Sequence, residues 1–302
     1  MTTLRISPSA SLVLIYLLSF FSASAFGQQR DSESELGWVT AEIKAPRVAF
    51  HTFDSEAAKT KVSYHLYTPA AYSQETQRRF PVVYWLHGSG GGLAGIARVA
   101  AHFDAAIEAG KTPRCLVVFV NGLVEGMYVD WKDGSAPLET MIVKELVPHI
   151  DATYRTTASR EGRMLDGYSM GGYGAARLGF KYPHLFRAVS IMGGGPLQAE
   201  LVQAPRAGRQ RAAEVLQKVY GGDQEYFKSV SPRRLAEQNA EALIRGSLIR
   251  QVCGDQDETF ANNRNFHEHL EQLKIPHTWT VLAGIDHNPL KTLEALGDSN
   301  WV

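Results

Sequence analysis

Arg163-Met164-Leu165-Asp166-Gly167-Tyr168-Ser169-Met170-Gly171-Gly172-Tyr173-Gly174 is the stretch from which the rest of the chain can be read. It holds Gly167-x-Ser169-x-Gly171, the spelling of a strand that ends in a sharp turn with a helix beginning at once. Such a turn leaves the Ser169 hydroxyl pointing out of the sheet, on a strained backbone. Side chains two positions before and after the serine would collide across the turn, so glycine fits both places. Gly172, Gly174, Ala175 and Ala176 follow, small enough to let a helix lie close to a sheet. A serine displayed this way is a candidate nucleophile; a plain Gly-rich turn is the rival reading. The two are separated by whether partner groups occur elsewhere, in order and at strand ends.

Outward from this stretch the chain alternates between two textures. Pro81-Val82-Val83-Tyr84-Trp85-Leu86, Cys115 to Val120, Ala188 to Met192, Ser247 to Val252 and His277 to Leu282 are short apolar runs that read as buried strands. Between them lie helical patterns near Ile96 to Glu108, Leu138 to Tyr154 and Thr259 to Leu273, with Pro148 a candidate kink in the second. Apolar strands alternating with helices imply a parallel sheet covered on both faces. The first two strands, one within Trp38 to Phe53 and one over Lys61 to Thr68, alternate apolar and polar with no helix between them. They are expected to pair antiparallel, giving about eight strands in one domain. Residues 195–245 are Ala-, Gln- and Arg-rich. They read as a helical insertion, either a candidate cap over the site or an excursion of the scaffold.

Composition narrows the function classes. The chain has 302 residues, 44% apolar and 21% charged, enough for a sizeable core. Lys+Arg and Asp+Glu both total 31, and no basic block is present, which argues against a nucleic-acid partner. Two cysteines are too few for a disulfide framework or a thiolate metal site. Cys115 and Cys253 are expected at opposite strand ends, as free buried thiols. No metal or cofactor is expected. The N-terminus carries one charge at Arg5, an apolar run from Leu12 to Phe21, then Ala23-x-Ala25. That is the layout of a secretory signal peptide, too short for a membrane anchor. The expected organisation is therefore a signal peptide over 1–27, a polar linker over 28–37 and a catalytic domain over 38–302. The protein is expected to be secreted or periplasmic, with no membrane association after cleavage.

Ser169 needs a base and an orienting acid. The loop after the strand ending at Val252 offers Asp255 and Asp257. The loop after the strand ending at Leu282 offers His287. Both follow strand C-termini, the edge where a parallel sheet gathers its site. Among ten histidines, His287 alone combines that position, that order and a Gly-turn context. Asp257 is favoured over Asp255 because it stands further past the strand, with more reach. His87-Gly88-Ser89-Gly90-Gly91-Gly92 follows an earlier strand end. Gly90-x-Gly92-x-x-Gly95 also fits a dinucleotide fingerprint, but the next strand ends in Asn121-Gly122 rather than the required acid. The loop suits one half of an oxyanion hole instead, with Ser89, or alternatively Gly88, donating one amide and Met170 the other. His87 is expected to brace the loop. Trp131 is a candidate pocket residue, with a core position as the plainer alternative.

Taken in order, His87-Gly88-x-Gly90-Gly91, Glu145-Leu146-Val147-Pro148, Gly167 to Gly174, Gly254-x-x-Asp257 and Asp286-His287 resemble the esterase D-like branch of the α/β-hydrolases. That branch includes S-formylglutathione hydrolases, feruloyl and acetyl-xylan esterases, and mycolyltransferases. The resemblance runs from about Ala41 to Leu296. It implies an α/β-hydrolase fold: a mostly parallel eight-stranded sheet, helices on both faces and a small helical insertion. It also implies Ser169, Asp257 and His287 as triad, and the Ser89 and Met170 amides as oxyanion donors. Relatives often carry Gly-His-Asp-Trp at the histidine, where this chain has Ile285-Asp286-His287-Asn288-Pro289. The expected activity is hydrolysis of carboxylic esters through an acyl-enzyme, on a small-molecule or polysaccharide-linked ester such as a feruloyl or acetyl ester. An acyltransferase or peptidase on the same groups, and a non-catalytic binding protein on this scaffold, are the alternatives. Export argues against a cytosolic glutathione thioester.

Overall fold

The computed structural model describes Met1 and residues 36–301. The expected signal peptide and most of the linker lie outside the described residues. Eight strands form one sheet: β1 Val48–Ser55, β2 Thr60–Tyr67, β3 Val82–Leu86, β4 Leu116–Val120, β5 Arg163–Tyr168, β6 Ala188–Met192, β7 Leu248–Gly254 and β8 Thr278–Leu282. Their spatial order is β1-β2-β4-β3-β5-β6-β7-β8. β1 pairs antiparallel with β2, and β2 antiparallel with β4; every later pairing is parallel. The first two strands are thus the antiparallel pair their alternating texture implies.

Side-chain alternation sorts the strands' residues onto two cores. Val82, Tyr84 and Leu86 of β3 and Leu116, Val118 and Val120 of β4 join the larger core. Val83, Trp85, Val117 and Phe119, the residues between them, join the smaller one with Val99 and Phe103 of the helix Ile96–Glu108 and Leu293 of the helix Pro289–Leu296. The larger core takes up the helix Met170–Lys181 and the helical run 138–153. Both faces are therefore covered, which is what continuously apolar strands require.

Pro148 does not break the run 138–153. Its middle, Met141–Leu146, widens into π-helical geometry just ahead of the proline. A wider turn accommodates a residue that has no N–H for the usual bond four residues back. Both cysteines are free and buried, and burial pushes each thiol up to about 12. They are inert at neutral pH.

Register is what places the site. Leu86 of β3 lies beside Gly167 of β5, Tyr168 beside Met192 of β6, Met192 beside Val252 of β7, and Gly254 beside Leu282 of β8. The C-terminal ends of five parallel strands thus meet along one edge, and the loops carrying His87, Ser169, Asp257 and His287 all leave from it. β8 closes the sheet on that side as an edge strand, with Val281 44% exposed.

The stretch between β6 and β7 is helical: Gly208–Tyr220, Gln224–Val230 and Pro232–Gly246. Asp223 and Ser231 cap the second and third helices, and Pro232 opens the third. The third packs along Met170–Lys181 as scaffold. The segment ahead of it, from Gly195 into the first helix, faces the opening above Ser169.

Candidate active site

Ser169 sits at the junction of β5 and the helix Met170–Lys181 with φ of 60° and ψ of −120°. Few non-glycine residues hold a positive φ, and it costs on the order of 1–3 kcal/mol. Surrounding backbone bonds hold it there. The Ser169 amide donates to the Met192 carbonyl at 2.9 Å, and the Ser169 carbonyl accepts from Tyr173 at 3.0 Å and Gly195 at 3.1 Å. The flanking glycines are needed for closeness. A Cβ on Gly167 would lie 2.2 Å from the Gly171 carbonyl oxygen. A Cβ on Gly171 would lie 1.8 Å from the carbonyl oxygen of Leu86, so its obstacle is the neighbouring strand end rather than Gly167.

His287 Nε2 is 2.9 Å from Ser169 Oγ, and His287 Nδ1 is 2.7 Å from Asp257 Oδ2. Asp257's other oxygen accepts from the Thr259 amide at 2.7 Å and the Thr259 hydroxyl at 2.6 Å. Burial pushes the Asp257 carboxyl up, but the bonds from His287 and Thr259 outweigh it and hold the group below its ordinary value. The carboxylate thus stays ionised through the whole range in which an imidazole changes charge. Asn288, next to His287, caps the helix Pro289–Leu296 through bonds from the Leu290 and Lys291 amides. The tilted Tyr168 ring lies 4.9 Å from the imidazole. Both ring nitrogens of His287 are occupied. Asp257 and His287, with the exposed Glu258 beside them, form a loose cluster in which the imidazole nitrogens are engaged by Ser169 and Asp257.

Asp255 does not reach the histidine. It is exposed and accepts the Gly284 amide at 2.7 Å, tying the loop after β7 to the loop that carries His287. Thr259, which the sequence reading passed over, lies two residues past Asp257; an acid with a hydroxyl two residues on is the local signal for it.

Met170 opens its helix, so its amide is one of the N–H groups a helix leaves without an intrahelical partner. Gly88 packs against the serine: a Cβ there would sit 3.2 Å from Ser169 Cβ. Ser89, next along, lines the same opening. His87 is buried and braces this loop, with Nδ1 donating to the Gly88 carbonyl at 2.7 Å and Nε2 accepting from the Gly122 amide at 3.0 Å. Burial lowers its basicity, in keeping with a neutral ring.

Above Ser169 opens a cleft of about 1140 Å³. Trp85, Leu93, Val124, Met127, Leu201 and Val215 give it apolar walls. Trp131 is not among its lining residues, a correction to the expectation. It is 7% exposed, packed in the larger core, with Lys218 Nζ 5.3 Å from its ring centre. Its loop turns inward after Met127, because Tyr128 and Val129 are buried and pull the chain away from the opening. Trp85, read as a core residue, is buried in β3 and also reaches the cleft wall. A second groove of about 1110 Å³ joins the cleft at Gln198, Pro205 and Asn262. Among the described residues no helix is long and apolar enough to cross a membrane.

Residues 55–287 match the family model named Esterase. An endo-1,4-beta-xylanase/feruloyl esterase of Xylanibacter ruminicola is 30% identical over 173 residues, 52% of this chain and 23% of its own length. An esterase of Mycobacterium tuberculosis is 31% identical over 156 residues, 49% of this chain and 32% of its own. The chain therefore spans under a third of the length of these curated relatives. Among solved structures, a ferulic acid esterase superposes with a TM-score of 0.68 at 23% identity, over 82% of this chain and 94% of its own. An S-formylglutathione hydrolase from Agrobacterium tumefaciens gives 0.66 at 20% identity, over 86% and 95%. Both likenesses establish the α/β-hydrolase fold.

Proposed function

The chain belongs to the Esterase family, and from that premise we propose that it hydrolyses carboxylic esters through an acyl-enzyme on Ser169. The observation that carries this is the unbroken hydrogen-bonded line from Ser169 Oγ through both nitrogens of His287 to Asp257. Ser169 attacks the ester carbonyl while His287 Nε2 takes the hydroxyl proton. Asp257 holds the proton on Nδ1 and stabilises the imidazolium. The Ser89 and Met170 amides receive the negative oxygen of the tetrahedral intermediate. When that intermediate collapses, the C–O bond to the alcohol breaks and His287 returns the proton to the departing oxygen. Water, deprotonated by the same nitrogen, then releases the acid and frees Ser169.

The apolar walls of the cleft suit an aromatic or short aliphatic acyl group. The adjoining groove suits a bulky neutral alcohol. Lys228 pairs with Glu200 at 2.9 Å and Glu225 at 3.0 Å, and Arg234 with Glu237 at 2.8 Å, so its charges largely cancel within the groove. Asn262 donates to Gln198 at 3.1 Å and Ser229 to the Tyr226 carbonyl at 2.8 Å, which leaves the Asn262 Oδ1 and Ser229 Oγ lone pairs to accept from hydroxyl-rich partners. Feruloyl or acetyl esters of polysaccharides meet both requirements. The relative named feruloyl esterase agrees with this choice, and the leader-like first 27 residues agree with export to where such polymers lie.

Methyl, p-nitrophenyl and cinnamoyl esters offered to the mature protein should be turned over. A fluorophosphonate should add to the peptide containing Ser169 and stop turnover in proportion. Turnover of none of these esters, or inactivation through a different residue, would overturn the reading.

A further inference from the structure

Behind the His87–Ser89 loop lies Tyr128, fully buried and held at φ 51°, with Met127 before it at 53°. Two successive non-glycine residues in the left-handed region persist only where their surroundings impose it. Here the imposition comes from two bodies. On the loop side, the Tyr128 hydroxyl donates to the His87 carbonyl at 2.9 Å. On the helix side, the Tyr128 carbonyl accepts from Arg177 Nη1 at 2.8 Å. The ring itself fills space a side chain would need: a Cβ on Gly122 would lie 2.5 Å from it, and one on Gly174 2.4 Å. Arg177 is locked in turn by an ion pair with Glu139, the two side chains being 1% and 4% exposed. Gly174 and Arg177 belong to the helix that Met170 opens, and His87 passes its position to Gly88 through the bond from Nδ1.

The two amides read above as oxyanion donors therefore ride on separate bodies, Ser89 on the loop and Met170 on the helix, and Tyr128 touches both. Two donors serve one oxygen only when their separation is held to about 0.5 Å. We propose that Tyr128 is a positioning residue for the reaction, the spacer that sets the distance between the loop donor and the helix donor. The inference rests on the reading of Ser89 and Met170 as oxyanion donors. It gives a reason for the strained pair Met127 and Tyr128 to be buried behind the His87–Ser89 loop, while Val124 of the same segment stays in the cleft wall.

Tyr128→Phe tests it, because phenylalanine keeps the ring that Gly122 and Gly174 make room for and removes only the hydroxyl. Loss of a whole oxyanion donor costs about 10²–10³-fold in kcat, so loosening one should cost about 10–100-fold. KM on a p-nitrophenyl ester should stay within about twofold. Affinity for an aryl boronic acid, which forms a tetrahedral adduct on the serine, should fall by the same factor as kcat. A purely structural role would lower the unfolding temperature while leaving kcat and boronate affinity of the folded protein unchanged, and that result overturns the proposal. Tight boronate binding that is equal in both proteins overturns the positioning role alone. Weak boronate binding by the wild type takes the oxyanion reading down with it.

Discussion

Ser169→Ala should lower kcat on a p-nitrophenyl or cinnamoyl ester by about 10⁶-fold, with the variant folded and its unfolding temperature nearly unchanged. Alanine removes the oxygen that His287 holds at 2.9 Å and leaves the backbone bonds to Met192, Tyr173 and Gly195 in place. Asp257→Asn should cost about 10⁴-fold, because an amide offers an N–H where the carboxylate accepted a hydrogen bond from the imidazole N–H, and so favours the wrong tautomer. Combining the two should cost little more than Ser169→Ala alone, since the groups act as one unit. Asp255→Asn should cost no more than about tenfold, because it ties a loop to the Gly284 amide and stands away from the imidazole. Initial rates at saturating ester, with circular dichroism as the fold check, decide this. Ester turnover in Ser169→Ala within tenfold of the wild type would refute the nucleophile.

The second large effect is on the fold. Gly171→Ala should destabilise the protein by more than about 4 kcal/mol in urea unfolding, or prevent it from accumulating folded. The added Cβ would stand 1.8 Å from the Leu86 carbonyl oxygen, 2.4 Å from its carbon and 2.9 Å from the His87 carbonyl oxygen. All three are backbone atoms at the end of β3, so no side chain can rotate away, and the helix would have to lift off the sheet. Gly95→Ala, where nothing lies within 4 Å of an added Cβ, should stay within about 1 kcal/mol of the wild type. Equal stability of the two variants would show that the helix does not sit on β3 as described.

What the sequence made legible follows from which constraints are local. The strands could be read because residues such as Val82 to Leu86 are buried on both faces, which leaves continuous apolar runs. The edge of the site could be read because each candidate loop follows a strand, and parallel strands put those loops together. Reach favours Asp257 over Asp255, the Gly254-x-x-Asp257 spacing of the resembling family adds to that, and geometry separates them: one meets His287, the other the Gly284 amide. Trp131 could not be placed from sequence, because the turn that buries it depends on positive φ at Met127 and Tyr128, which no propensity announces. The partner of Gly171 was misjudged for a similar reason. Its neighbour in space is Leu86, far away in the chain, and only the pairing of β3 with β5 brings them together. The part of the insertion that lines the cleft and the scaffold helix Pro232–Gly246 are both rich in Ala and Arg, so packing is what distinguishes them.

The edge position of β8 has a consequence for how this protein fails. Ser169 leaves from β5, with neighbours on both sides, while His287 hangs from the outermost strand and Asp257 from the one inside it. Outer strands open at lower free energy than central ones. Detachment of β8 would carry the base away and leave the serine in its turn, still buttressed by β3 and β6. Heating should therefore silence the protein while most of its ellipticity remains, and brief cooling should restore it. An activity assay then measures the closure of one rim of the sheet, several degrees before any spectroscopic signal reports the unfolding of the whole.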